Sequence, residues 1–596
     1  MGVRRLQTFM ERTADCCYDV DIKEMINSYL REGRGKPVVV IDIYSCIYFI
    51  FEDVAWLSGG QSKEMAYLLE RFYKSFTDLG AELVIFIDGC LEPSKVDTWK
   101  LRRHEEVKNI QYIFDQLDIN PYRFPEDCKK SRVNMMVKLL TGPNIEAYYS
   151  TEECDLEIAR YAKLNNCFAI LAQDTDFVIY EGARHYWSGK HLNLRRMTTK
   201  EYSRQNLARC LQLSTQDLPL LASLIGNDII SEKLLLPFHR SMGDLWQQRS
   251  NSINYRNNFF NVASCIRHYK SKSSDINQML PIIAERVFGV KDYSDLLLRS
   301  LNSYDVLLIR QDDDIDTRYG KNWTEIQKLI KKLHKTSKID SSIYMVITRG
   351  IFTSCSLLED YTRNFFPPAL QILKKLRQRI YGILLQEKPL PDNGVHYVKE
   401  LVVCGLTSVE DYIPVPAIMP SVPHSGLIKL MTLNDKDTTK EKFNLFCSAL
   451  HVNSSLLELE EKHLILPTGV LKYLLTEGGM VLEDWEVIAL VVAMVLLDSY
   501  SIKQINRIQE FPIDIRCINL YTIVAKGFYF GTFLNSVCGH PLSYEMCNPV
   551  RYHDGKLFHK KYKEAIETRD IEVLCEKKKN AVVTCKKILS FLNSRL

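Results

Sequence analysis

Two runs constrain the fold of this chain more than any other feature: Val38-Val39-Val40-Ile41, closed by Asp42, and Leu83-Val84-Ile85-Phe86-Ile87, closed by Asp88-Gly89. A strand with one wet face alternates apolar and polar residues, so an unbroken apolar run belongs to a strand covered on both faces, the situation of a parallel sheet. Between the two runs, Met65, Leu68, Leu69, Phe72 and Phe76 recur at helical spacing within Lys63 to Asp78. Ile145 to Tyr149 and Phe168 to Leu171 supply two more candidate strands. Strands alternating with helices imply right-handed crossovers, and the ligands of such sheets bind beyond the carboxyl ends of the strands.

The acids fall at those ends. In EECDLEIARYAKLNNCFAILAQDTD, residues 152 to 176, Glu153 and Asp155 stand two apart at the mouth of a predicted helix, and Asp174 and Asp176 stand two apart after a strand. Residues two apart on extended chain point the same way. Carboxylates aimed at one place repel unless a cation lies between them, and oxygen-ligated Mg²⁺ or Mn²⁺ is the usual remedy. Each pair alone has a structural explanation, since acids favour the first turn of a helix and are ordinary turn formers. Repetition decides the matter. Asp42, Asp88, Glu153, Asp155, Asp174 and Asp176 all fall at predicted strand ends, and Asp228 follows in LIGND, 224 to 228, after a short apolar helix beginning near Asp217. These seven are the candidate metal ligands.

At 596 residues the chain exceeds one core and divides, at roughly 150 residues per domain, into several. The patterning suggests an α/β domain over 1–240, a helical extension with loops over 241–330, and a mainly helical domain over 331–596. A content of 46% hydrophobic and 25% charged residues is that of a soluble globular protein. Seventeen cysteines, an odd number with no CxxC pair, fit the free thiols of a reducing, intracellular compartment. A net charge of +4 is too small to argue nucleic-acid binding by itself, so that argument rests on local clusters. Residues 1 to 20 are charged throughout and offer no signal peptide, and Val487 to Leu497, 11 residues long, is too short to span a bilayer.

The order strand-Asp42, strand-Asp88-Gly89, Glu153-x-Asp155, Asp174-Thr175-Asp176 and Gly226-Asn227-Asp228, behind Met-Gly-Val-Arg, resembles the flap-endonuclease (XPG-like) type of PIN-like domain. Within that superfamily the chain is most similar to the constitutive coactivators of PPAR-gamma, relatives of the asteroid proteins, which share the downstream segments Arg377-Gln-Arg-Ile-Tyr381 and Asp554-Gly-Lys-Leu-Phe-His559. The resemblance implies a PIN-like parallel sheet flanked by helices over 1–240. It implies that the seven acids hold two Mg²⁺ or Mn²⁺ ions, with Asp155 in a position where the nucleases carry Glu. One methylene fewer would turn a direct ligand into a water-mediated one, which weakens the second metal site. It also implies that Lys95 and Arg102, seven and fourteen residues after Asp88, clamp a scissile phosphate, and that Gly2, Arg4, Arg5 and Arg103 lie along the nucleic-acid path. Two departures stand out. The nucleases have glycine where this chain has Arg5, and after Asp228 the sequence IISEKLLLP lacks the glycine-rich helix-hairpin-helix that grips duplex DNA.

Further along, Tyr269 to Asp275 and Gln311 to Asp316 look like loop tips, and Ile276 to Asn302 is apolar enough for two helices. Leu370, Ile372, Leu373, Leu376, Ile380 and Leu384 form one helical face, with Lys374, Lys375, Arg377 and Arg379 around it. Trp485 to Asp498 is apolar all round and predicts a buried helix. Lys577-Lys578-Lys579 with Lys586-Lys587 forms a C-terminal basic cluster, and Leu471 to Leu475 matches LxxLL, read as a buried leucine stripe.

Three functions follow. The first is a regulatory protein that binds RNA or DNA, or partners such as nuclear receptors or RNA-binding complexes, in nucleus or cytoplasm. The second is an active Mg²⁺- or Mn²⁺-dependent structure-specific nuclease. The third is a non-catalytic interaction scaffold. The first is preferred because the resembled group is regulatory and the duplex handle is missing.

Overall fold

The computed structural model of the protein describes residues 2–52, 54, 56–124, 145–242, 255–272, 275–308, 315–354, 358–403, 405 and 411–594. The chain divides into two compact units. One comprises residues 1–50, 71–89 and 145–311, the other 51–70, 90–144 and 312–596.

The first unit is built on seven strands: β1 (Cys17–Asp21), β2 (Val38–Asp42), β3 (Glu82–Ile87), β4 (Glu146–Tyr149), β5 (Ala169–Ala172), β6 (His185–Ser188) and β7 (Thr198–Tyr202). Their order is β1-β7-β6-β5-β2-β3-β4. From β6 to β4 all neighbours are parallel, while β7 and β1 close the other edge antiparallel. The four expected strands are all present and lie side by side in parallel, β5-β2-β3-β4, with β4 at the edge. Val39, Val40 and Ile41 of β2 are fully buried between β3 and β5. At about 1.5–3 kcal/mol for each such side chain, these runs commit their segment to the middle of a covered sheet.

Register aligns the strand ends. Asp42 pairs with Phe86 and Ile41 with Leu171, so the chain leaves β2, β3 and β5 at one level. The helix Cys154–Leu164 lies over this sheet and buries Leu156, Ile158, Ala159 and Ala162. Helices Leu218–Ile225, Glu232–Ser241, Tyr255–Lys270, Ile276–Phe288 and Ser294–Asn302 complete the unit. The two helices expected between Ile276 and Asn302 are thus found. Of the expected loop tips, residues 273–274 and 311–314 lie outside the described residues.

The second unit is mainly helical. The long helix Val96–Ile119 buries Ile110, Ile113, Phe114 and Leu117 with Trp56, Leu57, Leu358, Ile513 and Ile518. Asp484–Leu496 is a buried helix, as its all-round apolar sequence requires. Leu471 and Leu474 are buried in the helix Ile465–Leu475, so the LxxLL match is a core stripe. Two features were not foreseen. The face from Leu370 to Leu384 is split into helices Ala369–Ile372 and Lys374–Leu385, with Leu373 between them. A small sheet, order β10-β9-β8, pairs β8 (Ile351–Thr353), β9 (Tyr397–Leu401) and β10 (Ile413–Pro416). Among the described residues the cysteines are free thiols, and no helix is long and apolar enough to cross a membrane.

Candidate metal centre

Asp155, Asp174 and Asp176 each bring a carboxylate oxygen within 4.8 Å of the other two. The elements explain the convergence. Asp155 stands in the first turn of the helix Cys154–Leu164, where the helix dipole favours an acid. Asp174 follows β5, and Asp176 opens the short helix Asp176–Ile179. The pair 174/176 is therefore not on extended chain as its spacing suggested. Thr175 has helical dihedrals, and the Asp176 N–H donates to Asp174 Oδ1 at 3.1 Å, so a turn brings the two acids together. A neighbouring acid has a different task. Glu157 Oε1 accepts from the N–H groups of Thr151 and Glu152 and from the Thr151 hydroxyl, fixing the turn that carries Glu153.

Crowding shows in the electrostatics. Burial, then the charge of Asp174, pushes the Asp155 carboxyl well above the usual carboxylate range. Burial and Asp174 push Asp176 up to about 8, against a hydrogen bond from Tyr304 that lowers it. Asp42 rises to about 6, chiefly through burial and with Asp174 contributing, although Ser45 opposes the shift. Two unit charges 4 Å apart repel by about 4 kcal/mol at an effective dielectric constant near 20, so the cluster needs protons or a cation. The remaining candidates act on the same groups. Glu153 raises Asp155, Asp228 raises Asp176, and Asp88 raises the Cys154 thiol.

The N-terminal segment lies against this cluster. Gly2 adopts φ +51°, and a Cβ there would overlap Asp174 Oδ1 and Thr175 Oγ1. Only glycine satisfies both conditions. The Thr175 hydroxyl donates to the Val3 carbonyl at 3.2 Å, and the Arg4 N–H to the Gly226 carbonyl at 3.1 Å. Arg4 and Arg5 are exposed. Arg5 has φ 56° and ψ 11°, a left-handed conformation, which gives the glycine of the resembled nucleases a backbone reason.

Lys95 ends a short 3₁₀ turn, Pro93–Lys95, and Arg102 is exposed on the helix Val96–Ile119; both belong to the second unit. Arg103 is buried, paired with Glu106 at 2.7 Å and placed over the Trp99 ring, so the expectation that it meets nucleic acid has no exposed guanidinium behind it.

Several residues of the site escaped sequence reasoning. The Tyr186 hydroxyl donates to the Asp174 carbonyl at 2.6 Å, and the Tyr304 hydroxyl donates to Asp176 Oδ1 at 2.9 Å. Tyr304 is 128 residues from Asp176 in sequence and sits just after a helix, where no motif marks it. Asn227, by contrast, was visible as the middle of Gly226-Asn227-Asp228. Its Oδ1 accepts from the N–H groups of Ile229 and Ile230, holding the turn at Asp228.

A mainly parallel sheet with acids gathered at its carboxyl ends is the α/β arrangement that the strand and acid spacing predicts. Comparison with known proteins agrees on the relationship. A family described as FAM120A-like domain matches residues 211–306. The chain is similar to the constitutive coactivator of peroxisome proliferator-activated receptor gamma from Bos taurus, 24% identical over 98% of this chain and 94% of the relative. It is 34% identical to the Homo sapiens protein of that name over 40% of this chain and 27% of the relative. Among solved structures, the catalytic core of Rad2 in complex with a DNA substrate aligns at 15% identity over 50% of this chain and all of that one. Its TM-score is 0.29, so the fold is read from the sheet itself.

The segments 377–381 and 554–559 are structural. Arg377 makes a bidentate pair with Glu400, 2.8 Å on each arm, and also donates to the Leu370 carbonyl; the Tyr381 hydroxyl donates to the same Glu400 at 2.7 Å. Asp554 caps the helix Gly555–Glu567 through the Leu557 N–H, and a Cβ on Gly555 would overlap the Ser58 carbonyl. Burial holds His559 down to about 3, so it is a neutral ring whose Nε2 accepts the Asp514 N–H.

Proposed function

We propose that the protein is a regulatory, nucleic-acid-associated protein of the PPAR-gamma coactivator type, built on a nuclease-like scaffold whose acidic site takes Mg²⁺ or Mn²⁺. The approach of Asp155, Asp174 and Asp176 to within 4.8 Å carries the metal part of this reading. The donor set fits a hard cation. It offers carboxylate oxygens, the ligands that hard divalent cations prefer. The similarity along nearly the whole chain supports the regulatory part. Its partners under this reading are RNA or DNA together with a nuclear receptor or an RNA-binding complex, and its place is the nucleus, the cytoplasm or both.

A bound divalent cation would neutralise developing phosphate charge and lower the pKa of its water. The chain's own residues would do the rest. Asp155, Asp174 and Asp176 hold the cation, with Asp42, Asp88, Glu153 and Asp228 completing the acidic shell. The exposed Arg4 and Arg5 supply a basic approach to it. Retention of all seven acids favours a second reading, a metal-dependent nuclease, since a chain released from that chemistry gains by losing crowded carboxylates.

Labelled single-stranded RNA, single-stranded DNA and flapped duplex, each offered with Mn²⁺ and with Mg²⁺, separate the two. Binding without cleavage is expected. Cleavage abolished by Asp174→Asn/Asp176→Asn would replace the regulatory reading with the nuclease, and absence of any nucleic-acid binding would leave a protein scaffold.

A further inference from the structure

Residues near both ends of the FAM120A-like segment, 211–306, form a polar network that reaches the acidic cluster from inside the fold. Ser223 Oγ and Ser300 Oγ lie 2.7 Å apart, Asn227 Nδ2 donates to Ser300 Oγ at 2.8 Å and to the Tyr304 hydroxyl at 3.2 Å, and Tyr304 donates onward to Asp176 Oδ1 at 2.9 Å. Every member is buried: Ser223 and Ser300 fully, Asn227 to 8% exposure, Tyr304 to 6% and Asp176 to 9%. A chain of hydrogen bonds that starts on a helix and ends on one oxygen of a crowded carboxylate has a direction. The Asn227 amide supplies a proton to the phenol oxygen, which leaves the phenol's own proton for Asp176.

We propose that Tyr304 is a positioning residue for the cation site: its hydroxyl fixes the plane of the Asp176 carboxylate by occupying Oδ1, and so presents Oδ2 to a divalent cation shared with Asp155 and Asp174. The proposal rests on the cation reading given above. Partners behind a ligating carboxylate hold its orientation and typically contribute 10–100-fold to metal affinity. The arrangement is specific to one acid of the three. Asp174 is held differently, by the Asp176 N–H on Oδ1 and by Tyr186 on its carbonyl. Tyr180 supplies an internal control, because its ring packs 5.4 Å from that of Tyr304 and its backbone N–H donates to the Asp176 carbonyl, a bond that Tyr180→Phe leaves in place, while the Tyr304 hydroxyl donates to the Asp176 carboxylate.

The test is a Mn²⁺ titration of the full-length protein by calorimetry, with unfolding temperatures recorded with and without the ion. Wild type is expected to bind, and Asp174→Asn/Asp176→Asn to abolish binding; if wild type binds no Mn²⁺ that this pair removes, the cation reading itself falls. Given that binding, Tyr304→Phe should weaken it about tenfold and shrink the Mn²⁺-induced rise in unfolding temperature, whereas Tyr180→Phe should leave affinity unchanged. A Tyr304→Phe protein that binds within twofold of wild type overturns the role of Tyr304 and spares the cation site. A purely structural role would lower the metal-free unfolding temperature and leave the affinity alone. Should Tyr304→Phe fail to fold, Ser300→Ala, one step back along the network, decides: a threefold loss of affinity is expected, and an unchanged affinity overturns the proposal.

Discussion

Each unit buries a cluster of charges, and the two clusters are built on opposite rules. In the second unit Arg377 and Glu400 are both 3% exposed, and each charge meets its opposite with every hydrogen-bonding arm used. In the first unit Asp155, Asp174 and Asp176 bring like charges into one space, and Asp155 and Asp176 are driven toward their protonated forms. A neutralised pair explains itself as architecture. A like-charged group that folding has to tolerate points to something outside the chain, because single substitutions would remove the conflict.

The sharpest way to break the comparison is to remove one partner from each cluster. Glu400→Gln should destabilise the protein by about 3–5 kcal/mol in a denaturant titration, since Arg377 is left as an uncompensated buried charge. Replacing both partners together, as in Arg377→Met/Glu400→Leu, should recover most of that loss. Asp155→Asn should act with the opposite sign and stabilise the metal-free protein by about 1–2 kcal/mol, because repulsion is relieved. The gain should vanish in millimolar Mn²⁺, since an ion that binds only the folded wild type adds about 2.7 kcal/mol at a hundred times its dissociation constant.

A pH series sharpens the same contrast. The Asp176 carboxyl has a folded-state value near 8 against an ordinary 3.8. Its contribution is therefore present below the ordinary value and is lost as pH rises through about 8, so metal-free protein should become progressively less stable across that window. Saturating Mn²⁺ should flatten the slope, and Asp176→Asn should remove it in thermal melts from pH 4 to 9. The smallest expected effect lies at Arg5. Its left-handed backbone costs about 1 kcal/mol relative to glycine, so Arg5→Gly should raise stability by that amount while weakening single-stranded nucleic-acid binding in a salt titration.

The strands β2, β3 and β5 were legible because they are covered on both faces and leave unbroken apolar runs. The strands β1, β6 and β7, and the small second sheet, were not. β1, Cys17–Asp21, shows mostly exposed residues, and β8 is three residues long, so neither carries a periodic signal. The acids were legible as a set, whereas the turn that joins Asp174 to Asp176 and the tyrosine behind Asp176 depend on contacts distant in sequence. The basic clusters turn out to be ion-paired. Lys578 pairs with the nearby Glu576, whereas Lys587 pairs with Glu460 and Arg379 and Lys375 share Glu477, partners about 100 residues away that composition does not reveal.

The seating of Gly555 on the Ser58 segment has a consequence for synthesis on the ribosome. The Gly555 N–H donates to the Gly60 carbonyl, and His553 Nε2 lies 3.1 Å from the Gly59 carbonyl, 494 residues earlier in the chain. At roughly 5–20 residues per second, the early loop emerges on the order of half a minute to two minutes before the helix that completes its packing. During that interval residues 51–70 and the apolar face of Val96–Ile119 have no finished core to enter, while much of the parallel sheet can already assemble. Nascent chains arrested before residue 550 should therefore show protease cleavage within 51–124 that full-length protein resists, and the second unit should be the one that calls on chaperones.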